Sequence, residues 1–184
     1  MATRTEATIA DLYRCAERKA ELVHGEIVVM SPTGGLPGYA AMEISASLRE
    51  YARRTGAGFA VGDNVAFVVD LPHRKSFSPD ASYYVGKLDM RFIDGAPQFA
   101  VEVRSEGDYG AAAERNIAAK RADYFAAGTL VVWDVDLLNA DVVRVYRASA
   151  PNTPTIFRRG AAAEAEPAVP GWSMPVDDLF PPER

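Results

Sequence analysis

A single cysteine, Cys15, stands in 184 residues. No disulfide can form within the chain, and no zinc site can be built on thiolates. Two histidines, His24 and His73, leave little for a histidine-rich centre. No apolar run approaches the ~20 residues of a membrane span. The first residues lack the charged-then-apolar order of a signal peptide. The expectation is a cytoplasmic protein with no membrane partner. An excess of basic residues is also missing. The net charge of −5 argues against a broad nucleic-acid-coating surface, while leaving room for a local basic cleft.

The content is 48% hydrophobic and 24% charged, as expected of one globular domain with a real core. We read residues 1–184 as a single domain, with a core over about 8–147 and a C-terminal extension over 148–184. Residues 8–20 read as an amphipathic helix with Thr8 as N-cap and a stripe of Ile9, Leu12, Tyr13 and Ala16. Glu21–Met30 reads as a hairpin turning at His24-Gly25. Residues 31–38 are a loop by composition, and 39–55 a second helix ended by Gly56 and Gly58. Phe59–Val69 is strand-like with a break near Gly62-Asp63-Asn64, and Leu71–Phe77 a polar loop. Strands follow at Ser78–Val85 and Gln98–Arg104, joined by a connection over 86–97. A helix over 109–127, a strand over 129–135 and a strand over 142–146 complete the pattern. Residues 148–170 carry little pattern and are assigned a short hairpin and an extended segment. Trp172 and Leu179-Phe180 are expected to pack back onto the body. The order is helix, three strands, helix, strand, an α/β core with an N-terminal helix–hairpin and a C-terminal strand added.

The most informative run is Phe99-Ala-Val-Glu-Val-Arg-Ser105. It sets one carboxylate, Glu102, in an apolar strand. A desolvated, unpaired charge costs several kcal/mol, of order 2–7 even for a neutral polar group, so such a residue needs a cation beside it. Arg104 lies two residues on, on the same strand face. Asp80, after Pro79, opens the preceding strand and reaches Glu102 if the two strands pair. Lys120 lies in the helix that follows. Two carboxylates with waters and a phosphate oxygen make an ordinary Mg²⁺ site, and a lysine beside them can orient or deprotonate a water or neutralise growing charge.

These residues carry a resemblance. Pro79-Asp80, Val101-Glu102-Val-Arg-Ser105, Lys120-Arg-Ala-Asp-Tyr124 and Ala127-Gly128 resemble the PD-(D/E)XK nuclease superfamily. Within it they are most similar to the Uma-type bacterial family of restriction endonucleases. Glu21-Leu-Val-His-Gly-Glu-Ile-Val-Val-Met-Ser-Pro32 and Val131-Val-Trp-Asp-Val-Asp136 resemble the same family. The resemblance implies a restriction-endonuclease-like fold and a metal-dependent nuclease acting on nucleic acid, DNA foremost. It implies Asp80 and Glu102 as ligands to Mg²⁺ or Mn²⁺, Lys120 as the relocated catalytic lysine, and a homodimer. Two departures stand out. Arg104 occupies the usual lysine position and cannot act as a base; it is assigned to the carboxylate or a phosphate. The Gly34–Tyr39 loop lacks a histidine that family members often carry.

Other readings of the same residues stay open. Asp80 also fits turn chemistry, Glu102 a buried ion pair with Arg104 or Lys120, and Lys120 a solvated helix face shared with Arg115 and Arg121. Glu43 and Glu21 are weaker candidates, read first as a surface carboxylate and a structural pair. Asp63 and Asp108 are read as turn and helix-cap residues, and Trp133 and Tyr124 as core. Arg49, Arg53 and Arg54 read as a solvated helix end before a phosphate contact. The rival function is a non-catalytic descendant of the fold that binds nucleic acid or protein, or a structural dimer. An enzyme needs Asp80, Glu102 and Lys120 to converge on an open cleft; a structural network would be closed and satisfied.

Overall fold

The computed structural model describes residues 6–15 and 18–182. Helix α1 (Ile9–Arg14) opens on a capping box, in which Thr8 and Asp11 satisfy each other's backbone N–H groups. It is shorter than the helix expected over 8–20, because the chain is already extended at β1 (Ala20–Val23). Ala16, the last residue of the expected stripe, lies outside the described residues. Strand β1 pairs with β2 (Glu26–Val29) around a two-residue turn, with His24 at φ 50° and Gly25 at φ 69°. Positive φ at both turn positions matches the right-handed twist of the flanking strands, and Gly accepts it without cost.

Helix α2 spans Gly35–Thr55, four residues longer at its start than the sequence pattern suggested. Pro37 falls in the first turn, where backbone N–H groups have no helical partner and proline is tolerated. Gly56 ends the helix in the left-handed conformation. Strands β3 (Phe59–Val61), β4 (Phe67–Val68), β5 (Ser76–Phe77), β6 (Ala81–Tyr84), β7 (Ile93–Asp94) and β8 (Phe99–Val103) follow. The expected 71–77 loop thus ends in a short strand, because Ser76–Phe77 pairs with β4 beside the parallel β7. Helix α3 (Ala111–Ala126), β9 (Val131–Val135), β10 (Val143–Arg147), β11 (Ala150–Phe157), β12 (Ala162–Glu164), β13 (Ser173–Pro175) and a 3₁₀ turn (Val176–Leu179) complete the chain. The hairpin after residue 148 is longer than its composition suggested, because β11 lies along most of β10 despite Pro151 and Pro154.

The main sheet has the order β11-β10-β9-β8-β6-β3. Only β8 and β9 run parallel; α3 makes the crossover between them. Alternation splits the sheet into two faces. Val101, Val103, Val131, Trp133, Val143 and Val145 face α2 and the C-terminal extension, whose Trp172, Met174, Val176 and Leu179 are buried with them. Ala100 and Val132 face the other way, toward Tyr124 of α3 and Phe67 and Phe77 of the small sheet. Glu102 belongs by alternation to this second face. The extension therefore completes the first core layer, and a smaller apolar cluster fills the second.

Candidate active site

Asp80 and Glu102 are brought together by strand pairing. Ala81 pairs with Val101, and the Asp80 N–H donates to the Val101 carbonyl at 3.0 Å. The Val103 N–H donates back to Asp80 Oδ2 at 2.8 Å. The main chain of the strand that carries Glu102 thus fixes the Asp80 carboxylate. The two residues line one cleft of about 560 Å³ at the strand ends, with Lys120, Lys19, Arg104, Thr33 and Asn116 among its walls.

Helix α3 contributes the cation. Lys120 and Tyr124, four residues apart, share one helix face. Lys120 Nζ lies 2.8 Å from Glu102 and 2.9 Å from Glu21. The Tyr124 hydroxyl donates to Glu102 Oε1 at 2.6 Å. Burial pushes the Glu102 carboxyl up; Lys120 opposes this, Asp80 and Glu21 add to it, and the balance stands at about 6. For Lys120, burial works against the charge but Glu102 and Glu21 outweigh it, so the ammonium titrates above its ordinary range. Lys120 is therefore protonated at neutral pH. With Glu102 and Glu21 ionised beside it, the ammonium is set to orient a water or offset developing negative charge.

Several neighbours were not assigned to the site from the sequence. Glu21, read first as a structural pair, is buried behind the cleft and accepts from Ser78 N–H at 2.9 Å and Arg74 at 2.5 Å. Arg74 also donates to Asp123 at 2.8 Å, and Asp123 meets His73 at 2.8 Å. Lys19 reaches Asp80 and Asp63, each at 2.6 Å. Two residues lining the cleft, Lys19 and Asp134, had a signal. Lys19 stands two residues before Glu21, on the same side of an extended segment. Asp134 interrupts the apolar Val131–Val135 strand just as Glu102 interrupts its own.

Arg104 shares the cleft but not the carboxylate expected for it. Its fork is bidentate with Asp134, at 2.7 Å on both arms, and a further arm meets Glu114. Glu102 is served by Lys120 and Tyr124 instead. Glu43 lies away from this cleft and interacts with Tyr39. Asp108 accepts from Ser105 N–H rather than capping α3, whose N-cap is Gly110.

The donor set suits a divalent cation. Among the described residues no group of three or more His, Cys, Asp or Glu side chains could hold a metal. The set is two carboxylates facing an open cleft, and Mg²⁺ is commonly held by one or two carboxylates with waters and substrate phosphates. Charge agrees. Glu21, Asp63, Asp80 and Glu102 outnumber Lys19 and Lys120 four to two, while Arg74 is shared between Glu21 and Asp123. A divalent cation would balance the cluster.

The fold and this strand-end cleft define a restriction-endonuclease-like α/β protein. A crystal structure of "a putative nuclease belonging to DUF820" from Anabaena variabilis has the same fold at TM-score 0.70 and 18% identity, covering 89% of this chain and 90% of that one. Residues 8–177 match the Uma2 family, described as "Putative restriction endonuclease", and the chain belongs to that family. No match was found among curated proteins. No helix among the described residues is long and apolar enough to cross a membrane.

Proposed function

We propose that the protein is a metal-dependent endonuclease that hydrolyses phosphodiester bonds in DNA with Mg²⁺ or Mn²⁺. The reading rests on one observation: Asp80, Glu102 and Lys120, distant in sequence, converge on one open cleft. Asp80 and Glu102 would hold the cation, which when bound supplies positive charge at the scissile phosphate. The chain's own groups do the rest. The Val103 N–H aims Asp80, the Tyr124 hydroxyl aims Glu102, and the Lys120 ammonium offsets charge as water adds to phosphorus, giving its proton to solvent, and the P–O bond to the leaving strand breaks, its oxygen taking a proton from solvent. A homodimer that cuts both strands goes with this reading through family resemblance, and a cytoplasmic location is part of the same proposal.

A plasmid and a single-stranded DNA, each incubated with Mg²⁺ and with Mn²⁺, test it. Cleavage by the wild type and none by Asp80→Ala is the expected result. A specific observation favours a second reading, a non-catalytic nucleic-acid-binding module. Each carboxylate already has partners: Lys19 and the Val103 N–H for Asp80, Lys120 and Tyr124 for Glu102. DNA binding by the wild type with no cleavage under either cation selects that reading.

The Glu102 carboxyl sets a pH dependence. Its folded value of about 6 lies above the ordinary 4.5. Protonation therefore stabilises the fold at low pH, and this contribution is lost as pH rises from about 4.5 through 6. Cation binding needs the ionised form. Mn²⁺ affinity should rise about tenfold per pH unit below 6 and level off above it. Calorimetric titrations between pH 5 and pH 8 measure this. Glu102→Gln should bind more weakly and show a flat profile; equal affinity and the same profile in wild type and mutant would make Glu102 a packing residue.

A further inference from the structure

Lys19 is a cation of the cleft that the proposed chemistry leaves unused. Its Nζ lies 2.6 Å from Asp80 Oδ1 and 2.6 Å from Asp63 Oδ1. The other Asp80 oxygen is taken by the Val103 N–H. The Asp80 oxygen open to a cation therefore already has one. Lys19 and Asp80 are 14% and 13% exposed, whereas Asp63 is 46% exposed in the turn after β3. Lys19 thus stands between an inner partner and an outer one. It also stands where two depressions meet: the cleft with Glu102 and Lys120, and a second of about 590 Å³ lined by Arg18, Met30, Thr33, Asp63 and Asn64. A lysine is a compact charge on a flexible stem, and it can exchange partners without giving up a fixed fork as an arginine would.

Building on the metal-dependent reading above, we propose that Lys19 is a resident counter-ion of Asp80, displaced to Asp63 when a divalent cation takes Asp80, where its ammonium then grips a phosphate of the nucleic acid. Before the cation arrives, Lys19 offsets repulsion between Asp80 and Glu102. Afterwards it remains in the cleft as a positive charge on the substrate side. Lys19 thus becomes a substrate-binding residue, distinct from the two carboxylates and from Lys120.

The test uses the full chain and two readouts that need no turnover. Mn²⁺ binding is measured by calorimetry. DNA binding in Mn²⁺ is measured by fluorescence anisotropy of a labelled duplex with phosphorothioate linkages, which resist cleavage. Lys19→Met should bind Mn²⁺ about tenfold tighter, since no resident charge must leave, and bind the duplex about tenfold more weakly. Asp63→Asn, an exposed change that keeps the test intact should Lys19→Met fail to fold, should bind Mn²⁺ more weakly because the displaced ammonium loses its outer partner. Unchanged Mn²⁺ affinity in both variants, beside a wild type that binds Mn²⁺, overturns the exchange and leaves the nuclease reading standing. Tighter Mn²⁺ binding with unchanged duplex binding overturns the phosphate role. A wild type that binds no Mn²⁺ removes both this proposal and the reading beneath it.

Discussion

Lys120→Ala is expected to lower turnover by roughly 10²–10⁴, the span usual for one catalytic acid–base or charge-stabilising group. The aliphatic stem considered by itself suggests little cost to stability, but the contacts argue otherwise. Lys120 is shared by Glu102 and Glu21, so its removal leaves two half-buried or buried carboxylates facing one another. The melting temperature should therefore fall together with the rate. The Glu102 carboxyl, already at about 6, should move higher, displacing Mn²⁺ binding toward alkaline pH. Lys120→Arg separates the two roles a lysine can play. If its work is that of a charge, as the two carboxylates beside it suggest, arginine should retain measurable turnover. Single-turnover cleavage and thermal melts on both variants decide the matter. Wild-type cutting by Lys120→Ala would exclude any part for this residue, and complete loss in Lys120→Arg with an intact fold would point to proton transfer.

The largest loss of stability is expected at Arg74. Its guanidinium is buried, pairs Glu21 with Asp123 and lies over the Phe77 ring at 4.9 Å. Arg74→Met keeps much of the volume and removes the charge, leaving two buried carboxylates without it. Breaking a buried pair from one side typically costs about 3–5 kcal/mol. For a chain of this length that corresponds to a melting temperature lower by roughly 10 °C. Denaturant unfolding of Arg74→Met, alone and with Glu21→Gln, checks both the size and the cause. The second change removes one stranded charge and should restore part of the loss. A single mutant within about 1 kcal/mol of wild type would mean that water reaches the network and that Arg74 is replaceable.

Much of the candidate cleft is legible because its residues interrupt strong patterns. Glu102 stands out in an apolar strand, Asp80 follows a proline at a strand start, and Lys120 lies on the next helix. What was not legible is who meets whom. Period-two alternation put Arg104 on the face of Glu102, but it cannot show that Asp134, one strand over, is the better-placed acceptor for a planar fork. Arg74 sits in a Pro-His-Arg-Lys loop that reads as solvated. Its burial follows from the β1–β2 hairpin closing over it, a contact between residues more than fifty positions apart. Tyr124 was read as core and is buried, yet its hydroxyl serves Glu102. The core order of the fold was readable from alternation and helix periodicity. The boundaries that failed lie where tertiary pairing overrides local preference, at Ser76–Phe77 and along β11.

Strand β11 forms one rim of the main sheet and carries Pro151 and Pro154 in eight residues, while the opposite rim, β3, is three residues long. A proline has no N–H to offer, so a foreign strand laid along β11 meets a ladder with rungs missing, and along β3 a ladder almost too short to climb. Sideways growth of the sheet is blocked at both margins. The apolar central strands are thereby shielded from edge-to-edge pairing with a second copy of the main sheet.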